Sequence, residues 1–346
     1  MKRKAIAITK ETRRAKCVPR IMDTISPYLG LRSSDRVAIK INLSGSREIY
    51  ANTSYATVES LISYLKQQFG ISEIAVIEGS DGAYFSGRST WDILYKFRYK
   101  EVELNGARLV NLDELEHDNT LVVQTLSGER TVHYTRFDAD YLISVVPPKT
   151  HNIFPVSLAI PNLVGFVTPE ERVLMFGASR NEMRRLSFTG NQRYYQLIDC
   201  AGRNFAALLA EVTPHLVLID GLYGMEGKGP IKGSPVFHGF AVASEDPVQA
   251  DALATYVMGI NVNDVSYLKY AGEAGLGNAR WQNVIGVDPM QVKFPYRPHP
   301  LYPRQRNWLN HLEGGGNGGS ARNNGDSSPS RNRSPRRRRP QGNDRN

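Results

Sequence analysis

Cysteine is scarce: Cys17 and Cys200 are the two in 346 residues, and they form no CxxC or Cys–His pattern. That excludes a structural zinc or an iron–sulfur cluster built from cysteine alone. Two unpatterned thiols suit a reducing cytosol better than a disulfide framework. No stretch approaches the roughly 20 apolar residues of a membrane span. The start, Met1-Lys2-Arg3-Lys4, is basic, but the apolar run Ala5–Thr9 that follows is too short for a signal-peptide core. The expectation is a cytoplasmic protein with no membrane partner. No GxGxxG follows the first strand, and there is no P-loop, no GxSxG and no Cys–His nucleophile pair. Dinucleotide binding, P-loop phosphate binding and serine or cysteine hydrolysis are therefore set aside.

What is present allows one large domain or two ordinary ones, with 41% hydrophobic residues to build a core. The formal charge of +9 is uneven. Eight Arg and two Asp between 314 and 346 carry +6 of it, which leaves the body mildly basic at +3. That tail is low in complexity, GGGNGGS followed by SPSRNRSPRRRRPQ, and predicts a disordered segment. The run Arg336–Arg339 can pair with phosphates, so a nucleic-acid or protein partner bound through the tail is the alternative to a function in the body. Residues 291–313, rich in proline with Tyr296, Tyr302 and Trp308, read as an extended arm on a body of residues 1–290.

Within the body the pattern is α/β. Arg36–Leu43 reads as a strand, Thr57–Phe69 as a helix after the N-cap candidates Asn52-Thr53-Ser54, and Glu73–Glu78 as the next strand. That order predicts a right-handed parallel βαβ unit. Trp91–Phe97 reads as a short helix, Arg108–Leu112 as a strand and Asp113–Asp118 as a solvated acidic connector. Leu121–Thr125 and Arg130–Tyr134 form a hairpin, and Tyr141–Val146 a central strand covered on both faces. Tyr194–Ala210 is a helix, Leu216–Ile219 and Phe240–Ser244 are strands, and Asp246-Pro247 starts a helix to about Met258. The fold expected is a mostly parallel or mixed sheet flanked by helices, with two α/β lobes around a cleft as one arrangement of it.

Chemistry is expected where strands end. After Ile219 the sequence DGLYGMEGKGPIKG reads as a glycine-rich loop, whose Gly227 and Gly229 would let the backbone approach a ligand. Lys40 and Asn42 close the first parallel strand, and Lys149-Thr150-His151 follow the central one. Lys40 and Lys149 could hold a small anion. Asp220, Glu226 and Asp246 could bind Mg²⁺ or Mn²⁺ or do acid–base work, with His151 as proton shuttle. Asp220 and Asp246 could equally cap turns, and Glu226 could pair with a lysine. Arg172, Arg180, Arg184 and Arg185 read either as a solvated helix or as an anion clamp closing over the cleft.

These motifs, in order, resemble the family catalogued as domain of unknown function 362, over about Ala38–Asn278. The matching elements are Lys40-x-Asn42, Lys149-Thr150-His151, Asn162-Leu163-Val164-Gly165, the run from Asp220-Gly221 through Met225-Glu226-Gly227 and Gly229-Pro230 to Gly233, and Asp246-Pro247-Val248 with Asp251. The resemblance implies that Asn162 joins the ligand-binding set. Where the family carries a lysine before the Asn-Leu-x-Gly element this chain has Ile160-Pro161, and it lacks the ferredoxin-like four-cysteine module of many members. The family carries no assigned reaction, so the resemblance implies a place rather than a chemistry.

Overall fold

The computed structural model describes residues 4–45, 47–186, 192–306 and 308–313. The basic tail with Arg336–Arg339, and its reading as a nucleic-acid contact, lie outside them.

The chain opens with strand β1 (Ile6–Lys10) and helix α1 (Arg14–Ile25). Strand β2 (Val37–Lys40), helix α2 (Tyr55–Phe69) and strand β3 (Ile74–Glu78) then form the expected parallel unit. Gly70, at φ 70°, ends α2 as the left-handed residue that closes its last turn. Two short helices follow, α3 (Asp81–Ser86) and α4 (Thr90–Lys96), then β4 (Arg108–Asn111). Helix α3 was not foreseen; its cap is Ser80, whose side chain accepts from the Ala83 N–H. Strands β5 (Asn119–Thr125) and β6 (Gly128–Tyr134) pair as the expected hairpin, apart from the main sheet.

Strand β7 (Tyr141–Val146) is central and leads into two short strands, β8 (Lys149–Thr150) and β9 (Val156–Ser157). Helices α5 (Arg172–Met175), α6 (Arg180–Arg185) and α7 (Gln192–Glu211) come next. Strands β10 (Leu216–Glu226) and β11 (Ser234–Ser244) make a long antiparallel pair. Then come α8 (Pro247–Val257), α9 (Ser266–Glu273) and β12 (Val284–Gly286). The segment expected as an extended arm contains α10 (Pro289–Val292), α11 (Tyr302–Gln305) and α12 (Trp308–Glu313). It is anchored by the buried Tyr296 and Trp308.

The main sheet has ten strands and runs β12-β1-β11-β10-β7-β2-β3-β4, with β8 and β9 attached at β10. Every pair from β10 to β4 is parallel, while β11 runs against both β10 and β1. One mixed sheet therefore takes the place of two lobes. Alternation along each strand sends side chains to two cores. Leu216 and Leu218 face the core that α1 and α2 cover, with Ile21, Met22, Leu61 and Leu65. Val217 and Ile219 face the core that α7, α8 and α9 cover, with Phe205, Leu209, Leu253 and Leu268.

One expected boundary moves. The glycine-rich stretch after Ile219 is not a loop over its first half, because β10 continues to Glu226 and pairs with β11 down to Ser234. Gly221 and Gly224 sit inside the strand because neighbours leave no room for a side chain. A Cβ at Gly221 would lie 2.1 Å from the Phe240 ring, and one at Gly224 would lie 2.4 Å from the Tyr296 hydroxyl. The register shifts between Gly221 and Tyr223, a bulge that turns Tyr223 outward in an otherwise buried run.

Candidate functional site

The ends of β2, β3 and β7 meet in a buried polar network. Lys40 closes β2, and its Nζ donates to Glu78 at 2.9 Å, to the Ile41 carbonyl at 2.8 Å and to Asn162 Oδ1 at 3.1 Å. Glu78 closes β3. Asn162 also accepts from Asn42 Nδ2 and donates to Ser144 Oγ on β7, each at 3.1 Å. Lys149, on β8, donates to Asn42 Oδ1 at 2.5 Å, Ser44 Oγ at 2.9 Å and the Ala51 carbonyl at 2.8 Å. Both lysines and Glu78 are buried.

The arrangement is electrostatically costly. Burial outweighs the mutual attraction of Lys40 and Glu78, so the lysine is pulled below and the carboxyl above its ordinary pKa. Burial likewise lowers Lys149 to about 7. Arg172, fully buried, pairs with Asp113 and lies 3.9 Å from Asp81. Arg172 Nη1 and Asp81 Oδ1 are both buried without a hydrogen-bond partner. Ion pairs buried this deeply add little to stability compared with well-packed apolar groups. Their concentration at the ends of parallel strands is what a ligand site in an open α/β sheet would show.

Lys149 makes a testable contribution to pH dependence. Its folded pKa of about 7 lies below the ordinary 10.5, so between those values the folded state binds fewer protons than the unfolded chain. Stability from this group therefore rises with pH across that window. In Lys149→Met the rise in Tm between pH 7 and pH 9 should be flatter than in the parent. An identical slope in the variant would mean that Lys149 carries none of it.

The segment that Lys149 holds has a pocket on its far side. Asn52, Thr53 and Ser54, just after Ala51, line a cavity of about 190 Å³ together with Pro147. Arg14 of α1 and Asp220 of β10 form its charged side, and Tyr50 and Tyr223 its aromatic side. Asp220 follows Leu216 and Leu218 at two-residue spacing and so faces α1 and α2, where it pairs with Arg14. Thr57 of α2 donates to the same carboxylate oxygen, and the Leu222 N–H donates to the other at 3.2 Å. Arg14 keeps 30% of its side chain exposed. The expected cap chemistry at α2 is redirected. Thr53 Oγ1 accepts from the Asn42 N–H and donates to the Val145 carbonyl, and Asn52 bonds Gly45. Ser54 starts α2 at the pocket wall without a side-chain hydrogen bond, and its carbonyl accepts from the Thr57 N–H at 3.0 Å.

The structure thus brings Lys40, Asn42, Lys149 and Asn162 into one network and sets Asp220 in the neighbouring pocket. It does not bring the other expected residues there. On both lysines each ammonium hydrogen already meets an acceptor, so they frame the site rather than offer free donors to an anion. The three carboxylates considered for a metal are apart. The pairing of Val217 with Ser244 and of Glu226 with Ser234 puts Asp246 and Glu226 at opposite ends of the β10–β11 ribbon. Asp220 is six residues from Glu226 along the strand, about 20 Å at 3.3 Å per residue. Among the described residues no group of three His, Cys, Asp or Glu side chains lies close enough to hold a metal ion. Glu226 instead accepts from the Arg297 N–H at 2.8 Å. Asp246 caps α8, accepting from the Val248, Gln249 and Asn278 N–H groups.

His151 is equally committed. It is buried and stacked on Phe154 and Phe176, and its Nδ1 accepts from the Ile153 N–H at 3.0 Å. Burial lowers its pKa to about 3, so it stays neutral and cannot shuttle a proton near neutral pH. Gly227 and Gly229 serve backbone packing rather than ligand approach. The Gly227 N–H donates to the Arg297 carbonyl at 2.7 Å, and a Cβ at Gly229 would lie 2.0 Å from the Thr150 carbonyl oxygen. Gly229→Ala should therefore cost about 1–3 kcal/mol in urea unfolding, since neither backbone can yield cheaply. A stability equal to the parent's would show that the Gly227–Gly233 loop is free to move.

Other expectations resolve locally. Asp113 is not part of a solvated connector; it holds Arg172 and accepts from Thr90 Oγ1 at 2.6 Å. Arg172 is accordingly no clamp over a cleft. Ile160-Pro161 opens a buried turn whose Ile160 N–H is held by Asp251 at 3.0 Å. Sequence reasoning missed Arg14, Thr57, Tyr50 and Tyr223. No motif or spacing marks Arg14 in the sequence, and Tyr223 owes its outward direction to the bulge. Glu78, the polar end of an apolar strand, carried a signal of the same kind as Lys40.

Comparison with known proteins adds a family and a distant structural likeness. Domain of unknown function (DUF362) matches over residues 37–256. No curated protein matches the chain. Among solved structures, a lactate racemase apoprotein from Thermoanaerobacterium thermosaccharolyticum is similar at 12% identity with a TM-score of 0.46. That likeness covers 73% of this chain, which spans 57% of the other's length.

Proposed function

The chain belongs to the domain of unknown function (DUF362) family, and since that description carries no reaction, we propose from the site itself that the protein binds a small anionic ligand in the pocket between α1, α2 and β10. The observation that carries this reading is Arg14. Its guanidinium is fixed by Asp220 and Thr57 through Nη1, stays partly exposed, and faces a cavity of about 190 Å³. Five N–H donors in a rigid fork leave it capacity for a carboxylate or phosphate beyond the Asp220 pair. The N-terminal end of α2, which carries no side-chain cap, lies at the same wall and adds a favourable dipole for negative charge. The buried Lys40–Glu78–Asn162–Lys149 network supports the reading by holding Asn42, Ser44 and Ala51, and through Asn42 the pocket residue Thr53, in one arrangement. Nothing in this assignment requires a metal ion or a catalytic step.

Titration calorimetry with inorganic phosphate tests it. Loss of one charge-assisted hydrogen-bonding group typically costs about 1.5–3 kcal/mol, so Arg14→Gln should weaken phosphate binding roughly ten- to a hundredfold while its circular dichroism stays that of the parent. Equal binding by parent and variant would remove Arg14 from the site and the reading with it.

A further inference from the structure

We propose that the ligand is a monocyclic aromatic acid, whose ring lies against Tyr50 and Tyr223 while its carboxylate or phosphate meets Arg14. This rests on the anion site described above and adds the shape of the rest of the molecule. Large apolar side chains are mostly inside this protein, yet Ile49, Tyr50, Tyr223 and Phe237 are all exposed. Tyr50 and Tyr223 keep 38% of their surface each, with ring centroids 5.3 Å apart at an interplanar angle of 47°. Tyr223 in turn meets Phe237 edge-on at 5.2 Å. Three of the four sit on elements whose local structure aims them outward. The bulge after Gly221 coincides with the one exposed residue of β10, Tyr223, and Ile49 and Tyr50 directly precede Ala51, whose carbonyl Lys149 holds.

Ile49, Tyr50 and Tyr223 also line the pocket that Arg14 enters. A cavity wall with a fixed guanidinium on one side and two tilted rings on the other selects a molecule with the same division. Rings tilted near 47° offer a face and an edge, the two geometries that aromatic groups prefer. The size of the pocket favours a single ring. A closed apolar cavity of about 150 Å³ is known to hold one benzene, so about 190 Å³ has room for one ring and a small acidic group. A fused bicycle with its acid, or a nucleotide, would have to reach past that space toward solvent.

The experiment compares phenyl phosphate and benzoate with inorganic phosphate and acetate by calorimetry on the full chain, with 1-naphthyl phosphate as the size control. The expected result is that the ring compounds bind at least tenfold tighter than their ringless partners, and that naphthyl phosphate loses this gain. Tyr223→Ala should erase the tenfold difference while phosphate still binds, and Tyr223→Phe should retain it. If phenyl phosphate and inorganic phosphate bind the parent equally, the ring assignment is overturned and the anion site stands. If naphthyl phosphate binds as tightly as phenyl phosphate, the single-ring preference is overturned. If neither phosphate binds, both assignments fall together.

Discussion

Lys40→Met should be the most destabilising single change in the site, lowering the free energy of unfolding by about 3–5 kcal/mol in urea titration. The substitution keeps the length of the side chain and removes the charge that faces Glu78 across 2.9 Å. Glu78 is then left buried, its carboxyl already displaced upward by loss of solvent, with no cation bonded to it. Asn162 loses a donor as well. The double variant Lys40→Met, Glu78→Leu should recover much of the loss, because two apolar groups of similar volume replace the pair without stranding either charge. A single variant within 1 kcal/mol of the parent, or a double variant no better than the single, would show that the pair is not held together as described.

Asp251→Ala should cost about 2–4 kcal/mol, because its two oxygens accept from the buried Ala159 and Ile160 N–H groups at 2.9 and 3.0 Å and alanine leaves both unmatched. The residue also sets a pH dependence opposite in sign to that of Lys149. Burial pushes the Asp251 carboxyl up to about 7, above its ordinary 3.8, so between those values the folded state holds more protons than the unfolded chain. Stability from this group is greatest at the acid end and falls as pH rises through the window. Asp251→Asn, which keeps one acceptor and cannot ionise, should lose less than the alanine variant and should flatten the fall in Tm between pH 5 and pH 7. If the asparagine variant keeps the parent's slope, the titration belongs to another group.

The elements legible in the sequence were those whose signal is local. Periodicity and a terminal glycine place α2, and the Asp246-Pro247 cap starts α8, because the physics of a helix end is written within a few residues. Lys40 at the end of β2 and Lys149 on the short strand after β7 are legible as polar residues beyond apolar strands, and the buried network gathers both. What they would do there was not legible, since their partners Glu78, Asn162 and Ala51 are brought by the fold from distant positions. The glycine-rich stretch misled for a physical reason. A glycine under a ring or a crossing backbone has the same sequence signature as one beside a ligand, and Gly221 and Gly229 are of the first kind. Arg14 became visible as a site residue through Asp220, a partner 206 positions away.

That separation has a consequence for synthesis. Strand β1 finds its antiparallel partner, β11, only between residues 240 and 244. On a ribosome, where the N-terminal end emerges first, β1 and α1 wait through most of translation before the strand that inserts between β1 and β10 exists. The parallel block of β2, β3, β4 and β7 can assemble beforehand, since its pairings close earlier in the chain. Until β11 arrives, the edges of β1 and β10 are open to pairing with other chains, and α1 has only α2 and β10 to hold Arg14 beside Asp220. A nascent chain stalled before residue 234 should therefore display a protected central block and an unprotected β1.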